Sequence, residues 1–360
     1  MCTFYKYIVI LSIIFSGFAI HGQETLTKQI DKTFDMTNTG ELLLDNKYGD
    51  VSFTGWDKNK IVITANIKVT HKKRDHAKTL LNRIEVESKS AGDFLSITSI
   101  ISEKNSNFFS RYFNKVNPFE FDKSNVDINY TVYLPINAEI EIINKFGNVV
   151  IDNWTGKLKA NIEHGDLWVN DTISNAKITM KFGKLRGKSM TYSTVNLKNG
   201  GINIKQSKVL LLNTSGVSID LGKVTDLEII SSKDNITIQE VGRIKGQLEY
   251  SNAKIEALED TINLSMSVAE LWVSKILNTN PEVNIDQESS DIHIDISDLS
   301  FKFEATLEQG LLRLPKTVSN LENIVIDKGK RIRKIKGLYG ASTSGIFNFQ
   351  GRKGIIVLDD

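Results

Sequence analysis

Proline is almost missing from this sequence, with four in 360 residues, so the chain turns on its 24 glycines. Cysteine is scarcer still. The single Cys2 excludes an intrachain disulfide and any thiolate metal site of the CxxC kind. It also precedes the apolar N-terminal run, so it is not a lipoprotein cysteine at a cleavage site. With no thiol in the exported chain, stability in an oxidising compartment rests on core packing. Net charge is nearly absent as well: 45 Lys and Arg against 43 Asp and Glu leave +2. Such a chain has no long-range field to gather nucleic acid or an anionic membrane surface. After the N-terminal segment there is no run long and apolar enough to cross a bilayer as a helix. A Ser-centred nucleophile elbow, a phosphate-cradling glycine loop, a His-Glu-x-x-His helix and an EF-hand loop are all missing. The Ser/Gly turn Gly340–Gly345 is not an elbow.

What is present begins with residues 1–22, which read as a secretory signal peptide. Lys6 supplies the positive start, Tyr7–Phe15 the apolar core, and Ser16–Gly22 a small-residue cleavage region, with cleavage after Ala19 or Gly22. This predicts an exported protein of the periplasm, the outer membrane or the cell surface.

The rest is organised by recurrence. Phe146-Gly147, His164-Gly165 and Phe182-Gly183 follow one another at 18-residue intervals. Each glycine is followed by a short alternating strand, and a second such strand precedes the next glycine. Two series of apolar positions keep step. One is Val149, Leu167, Leu185, Ile202, Ile219, Ile236, Ile255, Leu271 and Ile292. The other is Ala160, Ile178, Val195, Leu212, Ile229, Leu248, Leu264, Ile285 and Phe303. Period-two alternation inside a longer fixed period predicts an all-β, right-handed parallel β-solenoid, with two strands per coil of about 17–18 residues. The corner glycines are expected to take positive φ or to bring coils into close approach.

Asn46-Lys47-Tyr48-Gly49-Asp50-Val51 repeats the pattern of Asn144-Lys145-Phe146-Gly147-Asn148-Val149. Trp56 and Trp154 follow each glycine at the same distance. The expected organisation is therefore first strands and first solenoid unit over 23–67, then an inserted α+β cap over 68–134. Solenoid coils follow over 135–298, and C-terminal coils and cap over 299–360. Within the insertion, Ala77, Leu80, Leu81 and Ile84 mark a short helix. Arg83–Glu87 and Phe94–Ile101 form a hairpin around Gly92, 102–124 is a loop, and Asn125–Leu134 is a strand.

The repeated Asn-Lys-(Tyr/Phe)-Gly-(Asp/Asn)-Val signature, its following tryptophan, the Ala77–Ile84 helix, Tyr339-Gly340 and Ser344-Gly345 resemble a known family. These are the secreted β-strand-repeat proteins of Gram-negative envelopes called "putative adhesins", a domain of unknown function. The resemblance covers essentially the mature chain and implies a fold. It transfers no catalytic residue, cofactor or metal ligand.

Few residues invite chemistry. His164 occupies the aromatic column of Phe146 and Phe182. Asp291, His293 and Asp295 share the solvent face of one strand and form a polar row suited to a divalent cation or a sugar. His71 and His76 flank a basic helix start. Lys328–Lys336 is the densest basic run, read as a charged edge or an anion contact. Phe108, Phe109, Tyr112, Phe113, Phe119 and Phe121 crowd one loop, either as a plug for the solenoid end or as a partner contact. The expected function is a non-enzymatic envelope scaffold or adhesin, monomeric, bearing on an envelope protein or polysaccharide, with no cofactor and no nucleic acid. The alternative is a carbohydrate-active β-helix lyase or hydrolase, which needs carboxylates gathered in a groove.

Overall fold

The computed structural model describes residues 23–102, 126–341 and 343–360. The expected signal peptide over 1–22 and the aromatic segment Phe108–Phe121, expected as a loop, lie outside these described residues. The N-terminal part contains β1 (Glu24–Asp35), β2 (Glu41–Lys47), β3 (Val51–Trp56), β4 (Lys60–His71), the helix α1 (Arg74–Asn82), β5 (Ile84–Ala91), β6 (Phe94–Ile101) and β7 (Val126–Pro135). The middle contains β8 (Glu139–Lys145), β9 (Val149–Asp152), β10 (Lys157–Glu163), β11 (Leu167–Ser232) and β12 (Asn235–Glu249). It continues through β13 (Asn252–Ser267), β14 (Glu270–Val273), β15 (Glu282–Glu288) and β16 (Asp291–Asp295). The C-terminal part has β17 (Phe301–Glu308), β18 (Leu311–Arg313), β19 (Ser319–Asp327), β20 (Ile332–Tyr339), β21 (Gly345–Arg352) and β22 (Ile355–Asp359).

In the middle, each strand lies parallel to the one a coil later, forming stacked rungs. Ile142 pairs with Ala160 and Ala160 with Ile178; Ile219 pairs with Ile236 and Ile236 with Ala253. Strict alternation then sends every second side chain inward. Leu167, Val169, Ile178, Ile219, Leu221, Ile236 and Ile238 are all buried in one continuous apolar core. Each such side chain contributes on the order of 1.5–3 kcal/mol of burial before entropy is counted.

The sheet as a whole is mixed, which corrects the purely parallel arrangement expected from the repeats. Antiparallel pairs close both ends: β1 with β4, β4 with β7 and β5 with β6 at one, β17 with β20 and β19 with β20 at the other. The end rungs face no further coil, so hairpins cover them, with α1 packed on β1 and β4. The expected helix and the β5–β6 hairpin are both present, the latter turning at Gly92 with φ +59°.

Chain order and spatial order also part company at the ends. The two copies of the Asn-Lys-aromatic-Gly unit are adjacent rungs, Asn46 opposite Asn144 and Val51 opposite Val149. The described strands between them extend the stack on its outer side, β6 lying parallel to β2 and β7 to β3. At the far end, β21 and β22 return to slot between β15–β16 and β17–β18. Three marker positions shift by two residues. Gly246, not Leu248, pairs with Ile229 and Leu264; Ala253, not Ile255, pairs with Ile236; Ala305, not Phe303, pairs with Phe349.

Candidate binding surfaces

The corner of the first rungs explains every residue of the repeated motif. Tyr48, Phe146, His164 and Phe182 each take a left-handed turn, with φ of 70°, 59°, 56° and 56°. The strain of these turns is carried by the aromatic residue, not by the glycine after it. The rings stack face to face along the rod, with centroids 5.6, 5.0 and 4.8 Å apart. Stacking offsets a conformation that costs about 1 kcal/mol outside glycine. The glycines serve close approach. A Cβ on Gly147 would overlap the carbonyl of Gly49, one on Gly165 that of Gly147, and one on Gly183 that of Gly165. Of the two roles expected for these glycines, this is the one they play.

The flanking polar residues satisfy the tight backbone. Asn144 donates through Nδ2 to the carbonyls of Gly147 at 2.8 Å and Gly49 at 3.2 Å; Asn46 donates to Asn144 Oδ1 at 3.1 Å. Asp50 accepts from the Asn148 N–H, Asn148 from the Asp166 N–H and Asp166 from the Lys184 N–H, at 2.7–3.0 Å. Lys145, Glu163 and Lys181 alternate in charge one step before the aromatic column, at 3.1 and 3.4 Å. His164 is therefore one ring in this stack.

One buried titratable group ends this network. The Tyr130 hydroxyl meets Ser99 Oγ at 2.6 Å, and Ser99 donates to Asn46. Burial pushes the Tyr130 phenol up to about 12, with the Ser99 hydrogen bond pulling down and Asp45 pushing up. Asp45 itself is raised, by desolvation against the pull of Lys145.

Asp291, His293 and Asp295 do share the outer face of β16, as alternation predicts. Their neighbours come from adjacent rungs. His293 lies flat on Trp272, centroids 3.9 Å apart and 2° from parallel. Among the described residues no group of His, Asp and Glu is arranged to hold a metal ion. Trp272 is the residue that sequence reasoning missed, because the pairing that brings it to His293 requires the register. The same outer column continues through Lys254, Thr237 and Asp220, then Asn203, which donates to Asp220 at 2.9 Å. Beyond these, the Arg186 guanidinium sits over the Trp168 ring at 5.8 Å. Trp272 is 49% exposed.

Elsewhere the carboxylates are engaged in ion pairs between rungs. Glu139 pairs with Lys157, Glu141 with Lys159, Asp226 with Arg243 and Glu228 with Lys245. Asp226, Glu163 and Glu304 are held below the usual carboxylate range by hydrogen bonds from the Arg or Lys beside each. The His71 and His76 rings are 4.9 Å apart, and His71 Nδ1 accepts the Lys73 N–H at 3.0 Å. In the basic run, Lys334 and Lys336 grip Glu304 at 2.5 and 3.0 Å, while Lys328–Arg331 form the exposed β19–β20 turn.

No protein-family model matches this chain, and no curated protein matches it. Solved structures do align with it. One is a putative cell adhesion protein from Clostridium sporogenes, 12% identical over 93% of this chain and 100% of that one, with a TM-score of 0.19. Another is a putative adhesin from Parabacteroides merdae, 10% identical over 71% of this chain and 97% of the other, with a TM-score of 0.34. A third, a putative lipid binding protein from Parabacteroides distasonis, is 12% identical over 72% and 96%, with a TM-score of 0.32. Similarity this distant carries no argument about function.

Proposed function

We propose that this chain is a non-enzymatic, exported cell-envelope protein whose parallel rungs wind as a right-handed solenoid and bind an extended polymer along one outer column. The observation that carries this reading is the strip from Trp168 to Trp272. Trp272, half exposed and backed by an imidazole, stands at one end, and Trp168, part-buried beneath a guanidinium, at the other. Polar side chains that can hydrogen-bond fill the rungs between. Six rung steps of ~4.8 Å separate the indoles by roughly 29 Å, the length of a short oligosaccharide or an extended peptide. Asp291 and Asp295 flank the His293 end and extend its hydrogen-bonding edge.

Right-handed winding follows from the general preference of parallel crossovers. The binding test uses envelope polysaccharide from the producing cell in a sedimentation assay. The wild type should co-sediment, Trp272→Ala and Trp168→Ala should each weaken binding about tenfold, and no new reducing ends should appear. Equal binding by both variants would remove the strip from the account, and release of reducing ends would establish the enzyme.

A further inference from the structure

Among the described residues four strands pair on one side only, β1 and β5 at one end and β18 and β19 at the other, and they finish differently. Edge strand β1 presents Asp31 and Asp35 outward, and turns Lys32 inward to Ser88 at 2.9 Å. Outward and inward charge is how a sheet edge is protected from pairing with another chain. At the other end β18 is only three residues long, while the nine-residue β19 pairs with β20 and has no described strand on its far side. It carries Leu321, Ile324, Val325 and Ile326, exposed to between 50% and 56%. A consecutive Ile-Val-Ile with an unpaired backbone is a template for another strand. The strand is also self-complementary in charge. Glu322 lies three residues before Val325 and Lys328 three residues after it, and among the described residues neither is in an ion pair.

We propose that β19 pairs antiparallel with β19 of a second copy of this chain, about a two-fold axis at Val325. In that register Ile324 stands opposite Ile326 of the second copy, and Glu322 faces its Lys328, the first residue of the turn after β19, at both ends of the pair. Such an isologous contact closes on itself and leaves neither β19 edge exposed. A dimer built this way replaces the monomer expected from sequence. It also places two binding strips in one particle, which raises avidity for a repeating polymer.

The test is sedimentation equilibrium of the exported chain beside the double variant Ile324→Lys/Ile326→Lys. Both positions are half exposed, so the fold tolerates the change, which circular dichroism checks. The wild type should run at twice the chain mass and the double variant at the chain mass. In the exported chain, Val325→Cys should form a disulfide-linked dimer under mild oxidation, whereas Leu277→Cys, 49% exposed on another part of the surface, should not. Three results would each overturn the proposal: a wild type at single mass up to its solubility limit, a double variant that stays dimeric, or equal cross-linking at both cysteines.

Discussion

At Phe182 and at Tyr250 the backbone makes the same left-handed turn, with φ of 56° and 50°, yet Gly183 follows the first and Ser251 the second. In the early rungs the corner is closed by backbone stacked on backbone: glycine against glycine carbonyl, an aromatic stack outside, asparagine amides inside. In the later rungs the column of glycines gives way to Val217, Asp234, Ser251, Ala269 and Ser290, and the inside is wired by side chains. Buried Asp234 accepts from Thr214 at 2.6 Å, from Ser231 at 2.7 Å and from the Val217 N–H at 2.7 Å, while its own N–H reaches Ser251 Oγ at 3.1 Å. The difference separates geometry from chemistry. The stacked rungs impose the turn, and either close packing or a hydrogen-bonded network can satisfy the polar groups it buries.

The comparison can be broken most severely in the later region. Asp234→Ala leaves the Thr214 hydroxyl and the Val217 N–H buried without an acceptor, and the Ser231 hydroxyl with Ser251 Oγ alone. It should lower stability by about 2–4 kcal/mol, read as a fall in the denaturant midpoint. A loss below about 1 kcal/mol would mean that the network is ornamental.

Alkali should sharpen it next, because Tyr130 ends the early network only. The unfolded phenol loses its proton near its ordinary value of 10.0, the folded one near 12. Between those values the unfolded state holds fewer protons, so stability falls as pH rises, by on the order of 2 kcal/mol, and is fully present below pH ~10. Tyr130→Phe should flatten that part of the stability curve. A curve with the same alkaline slope in the variant would assign the effect elsewhere.

The smallest effect is expected at His164. Its ring lies between Phe146 and Phe182, so His164→Phe continues the stack and should leave the melting midpoint within about 0.5 kcal/mol of the wild type. His164→Asp places a carboxylate between two phenyl faces and should cost more; equal midpoints for the two variants would show that the stack is not felt.

Much of this was legible in the sequence. Alternation places Val149, Leu167 and Ile219 inward, and the helical spacing of Ala77, Leu80 and Leu81 marks α1, whereas Ile84, the fourth residue of that pattern, opens β5. What failed to show has a common cause. Residues two apart share a face, so a pattern of apolar positions is blind to slips of two. Where the in-register residue is Gly246, Ala253 or Ala305, a bulkier neighbour takes its place in the pattern. The return of β21–β22 into the stack was hidden because pairing partners distant in sequence leave no local mark. For the candidate site, Asp291, His293 and Asp295 could be put on one face, but Trp272 comes from another rung. The positive φ of the corner aromatics went unread, since glycine is the residue that ordinarily takes it.

The central claim is that one imposed corner is filled by two chemistries, and a single pair of substitutions tests it. Gly165 and Ala269 hold the same position in the corner, in the early and later regions. Thermal unfolding of Gly165→Ala beside Ala269→Gly should show a loss of about 2–3 kcal/mol for the first, because the added methyl meets the Gly147 carbonyl. The second should change stability by no more than about 1 kcal/mol. Equal, small losses in both would contradict the account.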